Sequence, residues 1–131
     1  MRSILAIIIC VCLSAPAMAL DWPDNHTRTV ILENRCREAM KIIVTHSPTR
    51  DVWEKAGWFT MQPGERNFPF HEGKRLQHRD NATLLLYARS VDDSFEVKGD
   101  HGTNFAGEHY KSFKVSRIFR GKYVDVRLNC D

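Results

Sequence analysis

Nowhere after its first twenty residues does this chain sustain a helical repeat. No segment keeps apolar side chains at 3.6-residue spacing over a dozen positions. The apolar residues fall instead into short runs at 29–32, 40–45, 58–61, 82–88, 94–98, 109–115 and 123–128. The second run is rich in β-branched residues, with Ile42, Ile43, Val44 and Thr45, which suit an extended, half-buried backbone. In the last, Val126 and Leu128 alternate with Asp125 and Arg127, the period of a strand with one face buried. The run at 82–88 is the most apolar and too short for a stable helix, so a central strand is expected there.

Turn chemistry separates these runs. Ser47-Pro48-Thr49-Arg50-Asp51 reads as a loop. Gln62-Pro63-Gly64-Glu65 suits a type II turn, because Pro presets φ at the second position and Gly accepts positive φ at the third. Residues 68–81 are polar, with Pro69 and Gly73, and predict an exposed loop with room for a short strand at its start. Residues 99–107 hold Gly99, Gly102 and Gly107 and also predict a loop. Many short strands with turns between them predict an all-β fold, a small β-sandwich or partly closed barrel. At 131 residues there is room for one such domain, which excludes an eight-fold α/β barrel or a multidomain receptor. Hydrophobic residues at 43% and charged residues at 27% are near globular averages, so a packed core rather than wholesale disorder is expected.

The N-terminus has a different character. Met1-Arg2-Ser3 carries one positive charge, Ile4 to Leu13 is unbroken and apolar, and Ala17-Met18-Ala19 supplies small residues for cleavage. This order predicts a signal peptide over residues 1–19, with a single β domain over 20–131 that is secreted or periplasmic. The apolar run is shorter than the roughly 20 residues of a permanent span. A lipid-modified cysteine is disfavoured, because Ile9 precedes Cys10 and Val11 precedes Cys12. Removal takes Arg2 with it and lowers the formal net charge from +3 to +2.

It also reduces four cysteines to two, Cys36 and Cys130. In an exported chain the simplest reading is one disulfide, the alternatives being two free thiols or a bridge to another molecule. Closing a loop of roughly 95 residues contributes about 4.5 kcal/mol in the chain-entropy model. That is a large share of the stability of a small domain. It also brings the first and last strands together.

Asn34-x-Cys36, an apolar strand, Trp53, Gly57-Trp58, Pro63-Gly64-Glu65, Tyr87-Ala88 and a C-terminal Cys occur in this order. The pattern resembles a bacterial family of small exported β domains of unknown function with a W…GW…PG…YA core. The resemblance runs from about Val30 to Cys130. It implies a fold and a compartment, and it transfers no catalytic residue. Many members carry a Cys soon after the Pro-Gly-Glu turn, where this chain has Arg66 and Asn67, so a second disulfide of that type is absent. The Asn-x-Cys strand is also similar to the first strand of thaumatin-like proteins, but two cysteines are too few for that cysteine-dense family.

Candidate chemistry is sparse. His71-Glu72 with His78, or Asp100-His101 with Glu108-His109, offers imidazoles and carboxylates to a metal, with His101 and His109 preferred. Neither set has a compact ligand spacing, and solvated loop histidines are the simpler reading. No Gly-x-Ser-x-Gly elbow is present, and both cysteines are spent in the expected bridge. Asp92 and Asp93 are adjacent and point to opposite sides of a strand. The expectation is therefore a non-enzymatic binding domain without a cofactor. The alternatives are a secreted metal-binding protein or small hydrolase using His101 and His109, and a secreted inhibitor or effector.

Two features could contact a partner. Trp53 and Trp58 open an aromatic stretch, continued by Phe59, Phe68 and Phe70, that could stack on a glycan or peptide. Trp58, in a strand beside a turn, could equally close the core. Lys111, Lys114, Arg117, Arg120 and Lys122 occur with no acid among them. They suit an anionic partner such as an envelope phosphate, an acidic glycan or an acidic protein, or they guard a sheet edge from pairing. Nucleic acid is not expected of an exported chain with so modest a charge. The sequons at Asn25 and Asn81 would matter only in a eukaryotic secretory route.

Overall fold

The computed structural model describes residues 27–130. The expected signal peptide, His26 and the Asn25 sequon lie outside the described residues. The described chain is all-β. Its strands are β1 (Thr27–Asn34), β2 (Met40–His46), β3 (Glu54–Met61), β4 (Arg66–Asn67), β5 (Phe70–His71), β6 (Lys74–Arg75) and β7 (Gln77–Arg79), followed by β8 (Leu85–Ser90), β9 (Glu96–Val97), β10 (His101–Phe105), β11 (Glu108–Lys114), β12 (Arg117–Arg120) and β13 (Tyr123–Leu128). A five-stranded sheet has the order β12-β13-β1-β4, with β7 also on β1. A six-stranded sheet has the order β10-β11-β8-β2-β3, with β9 also on β8. β5 and β6 form a separate ribbon, and the sheets curl partly into a half-barrel.

The core lies between the two large sheets. Val30 and Leu32 from β1 and Val124, Val126 and Leu128 from β13 meet Met40, Ile42 and Val44 from β2 and Leu86 and Ala88 from β8. All are fully buried, and each large aliphatic among them contributes roughly 1.5–3 kcal/mol by leaving water. β8 is central, as its apolar run predicted, with β2 on one side and β11 and β9 on the other. β13 alternates as expected: Asp125 faces away from Val124 and Val126 and lies under Arg66 and Arg120.

The disulfide continues a strand ladder. β1 and β13 are parallel neighbours, with Thr29 opposite Tyr123 and Asn34 opposite Leu128. Cys36 and Cys130 stand two residues beyond that last pair, 94 apart in sequence, and are joined with a Cα–Cα distance of 5.2 Å. The bridge therefore clamps the register that brings the first and last strands together.

Asn34 completes this corner. Its buried amide Nδ2 donates to the carbonyls of Glu38, Met61 and Gln62 at 2.9, 3.0 and 3.2 Å, and its Oδ1 accepts from the Cys36 N–H at 2.9 Å. The Glu65 N–H donates to the Gln62 carbonyl at 3.0 Å, and Gly64 has φ 76°, as the Pro-Gly turn requires. The Asn-x-Cys and Pro-Gly elements of the sequence pattern thus meet in one structural corner.

Two loop expectations are corrected. Residues 99–107 contain β10, which pairs with β11 from His101↔Ser112 to Phe105↔Glu108. Their glycines misread as loop: Ala106 and Gly107, at φ 50° and 82°, form the tight turn of this hairpin. Residues 68–81 hold β5, β6 and β7 and bury Leu76 and His78. Isolated apolar positions in a polar segment carry no period, so their burial was invisible before the chain folded back on β1. β12, the edge of the five-stranded sheet, was likewise not distinguished from the basic segment around it.

Candidate binding site

Strand alternation puts a second set of side chains on the outer face of the six-stranded sheet. With Met40, Ile42 and Val44 inward on β2, Lys41 and Ile43 point outward. With Leu86 and Ala88 inward on β8, Tyr87 and Arg89 point outward. Ile43, Tyr87 and Tyr110 form a buried cluster there, against which Trp58 and Phe105 pack.

Trp58 reaches this face through a β-bulge. The β2–β3 register steps from Ile42↔Phe59 to Val44↔Ala56, so Gly57 and Trp58 together oppose Ile43. The extra residue lets Ala56 and Phe59 both join the inner core while Trp58 turns outward. Gly57 is needed for close approach: a Cβ there would lie 2.9 Å from the Ile42 carbonyl oxygen and 3.2 Å from Ile43 Cα.

The result is an aromatic floor under two cations. Trp58 meets Tyr87, Phe105 and Tyr110 edge-on, with ring centroids at 5.9, 6.2 and 5.4 Å, and Tyr87 tilts against Tyr110 at 4.6 Å. These are favourable aromatic geometries, worth about 1 kcal/mol per pair beyond burial. The Arg89 guanidinium lies 4.6 Å from the Trp58 ring centroid and the Lys41 ammonium 5.7 Å. The ring quadrupole holds both charges over the floor. Arg89 also pairs with Asp93 at 3.2 Å.

Each tyrosine is tied to an acid at the rim. Tyr87 Oη donates to Glu96 Oε2 and Tyr110 Oη to Glu108 Oε2, both at 2.7 Å. Burial, reinforced by these carboxylates, pushes both phenol pKa values up, so the hydroxyls stay protonated donors. A groove of about 240 Å³ runs beside them, lined by Tyr87, Glu96, Lys98, His109, Tyr110 and Lys111. The face therefore offers the partly open rings of Trp58 and Phe105, positioned positive charge and a shallow groove, which together suit a ligand carrying both anionic and apolar surface.

The sequence-selected residues are scattered. Trp58 is on this face, half-buried rather than in the inter-sheet core, whereas Trp53 is 52% exposed in the loop before β3. Lys111 lines the groove, and Lys114 lines a separate cleft of about 320 Å³ with Arg35 and Arg127. Arg117 donates to the carbonyls of Ala82 and Asp80 and lies over Phe119. Arg120 pairs with Asp125 at 3.5 Å. These four basic residues thus divide between β11 of one sheet and β12 of the other.

His101 and His109 are not brought together either. His101 is opposite Ser112 and His109 opposite Asn104, about 10 Å apart along the ladder. His109 hydrogen-bonds Asn104 Oδ1 at 2.9 Å, and His101 pairs with Asp100 at 3.4 Å. His78 is a buried strut: its Nδ1 accepts from the Ser47 N–H at 3.0 Å and its Nε2 donates to the Ala82 carbonyl at 2.8 Å. Among the described residues no three His, Cys, Asp or Glu side chains are gathered as a ready metal cage.

Sequence reasoning missed Lys41, Arg89, Phe105 and Tyr110 as site residues. For Lys41 and Arg89 the signal was available, since both alternate with the core positions of apolar runs. Among the described residues no helix is long and apolar enough to cross a membrane. The disulfide fits an oxidising compartment. No family model, curated protein or solved structure matches this chain.

Proposed function

We propose that this is an exported, non-enzymatic binding domain that takes an acidic glycan on the outer face of its six-stranded sheet. The observation that carries this reading is the placement of Arg89 and Lys41 over Trp58, on a floor completed by Tyr87, Tyr110 and Phe105. A carboxylate or sulfate meets the two cations first, and the sugar ring then lies against the partly open Trp58 and Phe105. The signal-like N-terminus, the disulfide and the resemblance to exported β domains support the compartment.

The test is retention of the oxidised protein on immobilised polygalacturonate and on heparin at about 0.15 M salt, where exposed charges are already strongly screened. Wild-type protein is expected to bind and to elute with rising salt. The double variant Lys41→Ala, Arg89→Ala is expected to flow through, while Arg117→Ala, Arg120→Ala, on the opposite sheet, is retained. Equal retention of the two double variants, or capture only by an acidic protein column, sinks the glycan assignment.

A further inference from the structure

A second site lies away from this face, in a groove of about 360 Å³ lined by residues that include His46, Glu54, His71, Glu72 and Lys74. His46 ends β2 and its side chain is only 2% exposed. Its Nδ1 is 2.7 Å from the Gln77 carbonyl, which can only accept, so Nδ1 carries the proton. Nε2 of the neutral ring is then a bare lone pair. It is buried without a hydrogen-bond partner, and the nearest charged atom is Glu54 Oε2 at 3.7 Å.

A cation bound between these two acceptors would satisfy both. Ligand atoms about 2.1 Å from a tetrahedral Zn²⁺ stand roughly 3.4 Å apart, close to the separation seen here. The Nδ1–H···O=C bond is also the arrangement that orients a metal-binding imidazole and raises its basicity.

We propose that His46 Nε2 and Glu54 nucleate a site for a divalent transition metal of the zinc type, completed by His71. His71 sits across the groove on β5, where its Nε2 is 3.7 Å from Glu72 Oε1. The β5–β6 ribbon belongs to neither large sheet, and an isolated two-stranded ribbon is marginal on its own. Lys74 and Arg75 of the same ribbon also line the groove, with the Arg75 guanidinium over the Phe68 ring at 4.0 Å.

The experiment is titration of metal-free, oxidised protein with Zn²⁺ by calorimetry and with Co²⁺ by visible absorption. One equivalent is expected to bind with a micromolar Kd, and Co²⁺ to develop the intense bands of a low-coordinate N/O site. Glu54→Gln and His71→Ala, both at accessible positions, are each expected to weaken binding at least tenfold. His101→Ala with His109→Ala is expected to leave it unchanged. His46→Gln is expected to abolish it, with folding checked by circular dichroism; if that variant does not fold, the two accessible variants decide. Wild-type binding no tighter than millimolar, or unchanged binding in either Glu54→Gln or His71→Ala, overturns the site. This outcome is independent of glycan retention, which uses the opposite surface chemistry and different residues.

Discussion

The two faces of the six-stranded sheet are built from the same strands and carry different side-chain chemistry. The inner face is aliphatic: Met40, Ile42, Val44, Leu86 and Ala88 are fully buried against β1 and β13. The outer face buries Ile43, Tyr87 and Tyr110, yet keeps Trp58 partly open and holds Lys41 and Arg89 above it. Aliphatic burial is non-directional and has nothing further to offer a ligand. Aromatic rings with charged partners are directional and remain able to exchange one charged neighbour for another. On the proposed binding function, changes on the inner side and at its clamp are expected to cost stability, whereas changes on the outer side are expected to cost binding first.

The clamp should show the largest effect. Reducing the Cys36–Cys130 bridge releases a loop of 94-residue separation and is expected to remove about 4.5 kcal/mol, read by denaturant unfolding with and without reductant. A loss below about 1 kcal/mol would mean that the β1–β13 ladder holds its register unaided. Next, Leu86→Ala on the inner face is expected to cost about 3 kcal/mol through lost burial and a residual cavity, measured the same way. A cost near zero there would erase the distinction between the faces.

The buried histidine strut adds a pH signature. Burial, the largest influence, lowers the His78 pKa from 6.5 to about 4. The unfolded chain then binds a proton that the folded chain refuses, so the contribution of His78 to stability is full above pH 6.5, falls as pH drops, and is lost below about 4. The loss is on the order of 3 kcal/mol across that window. Protonating Nδ1 would also break the bond from the Ser47 N–H. Burial moves His46 in the same direction. Unfolding free energies of wild type and His78→Gln between pH 7 and 4 should converge as pH falls; parallel curves would remove His78 as the acid-sensitive group.

The smallest stability effect belongs to the outer face. Tyr87→Phe removes the bond to Glu96 at the rim and is expected to cost about 1 kcal/mol. A cost as large as that of Leu86→Ala would place the outer cluster in the folding core and weaken its reading as a binding surface.

Much of this was legible before folding, for reasons specific to each element. Residues 40–45 and 123–128 declared themselves because the two-residue period of a strand is local. Residues 99–107 did not, because Gly107 at a hairpin turn is indistinguishable in composition from glycine in an open loop. Trp58 could be assigned to a strand but not to a face, since one bulge residue reverses the parity. The basic residues from 111 to 120 are neighbours in sequence, but that they belong to two different sheets, with the chain crossing between β11 and β12, is not a local property.

Short apolar runs, turn residues and two cysteines outside the apolar leader were enough to determine an all-β chain that a single bridge could staple. Only the tertiary structure decided that β1 and β13 pair in parallel, that Arg89 and Lys41 meet over Trp58, and that His46 faces Glu54. The physical reason is range. Strand period and turn propensity are properties of a few consecutive residues, whereas these sites join side chains from separate strands and exist only once register and bulge are set.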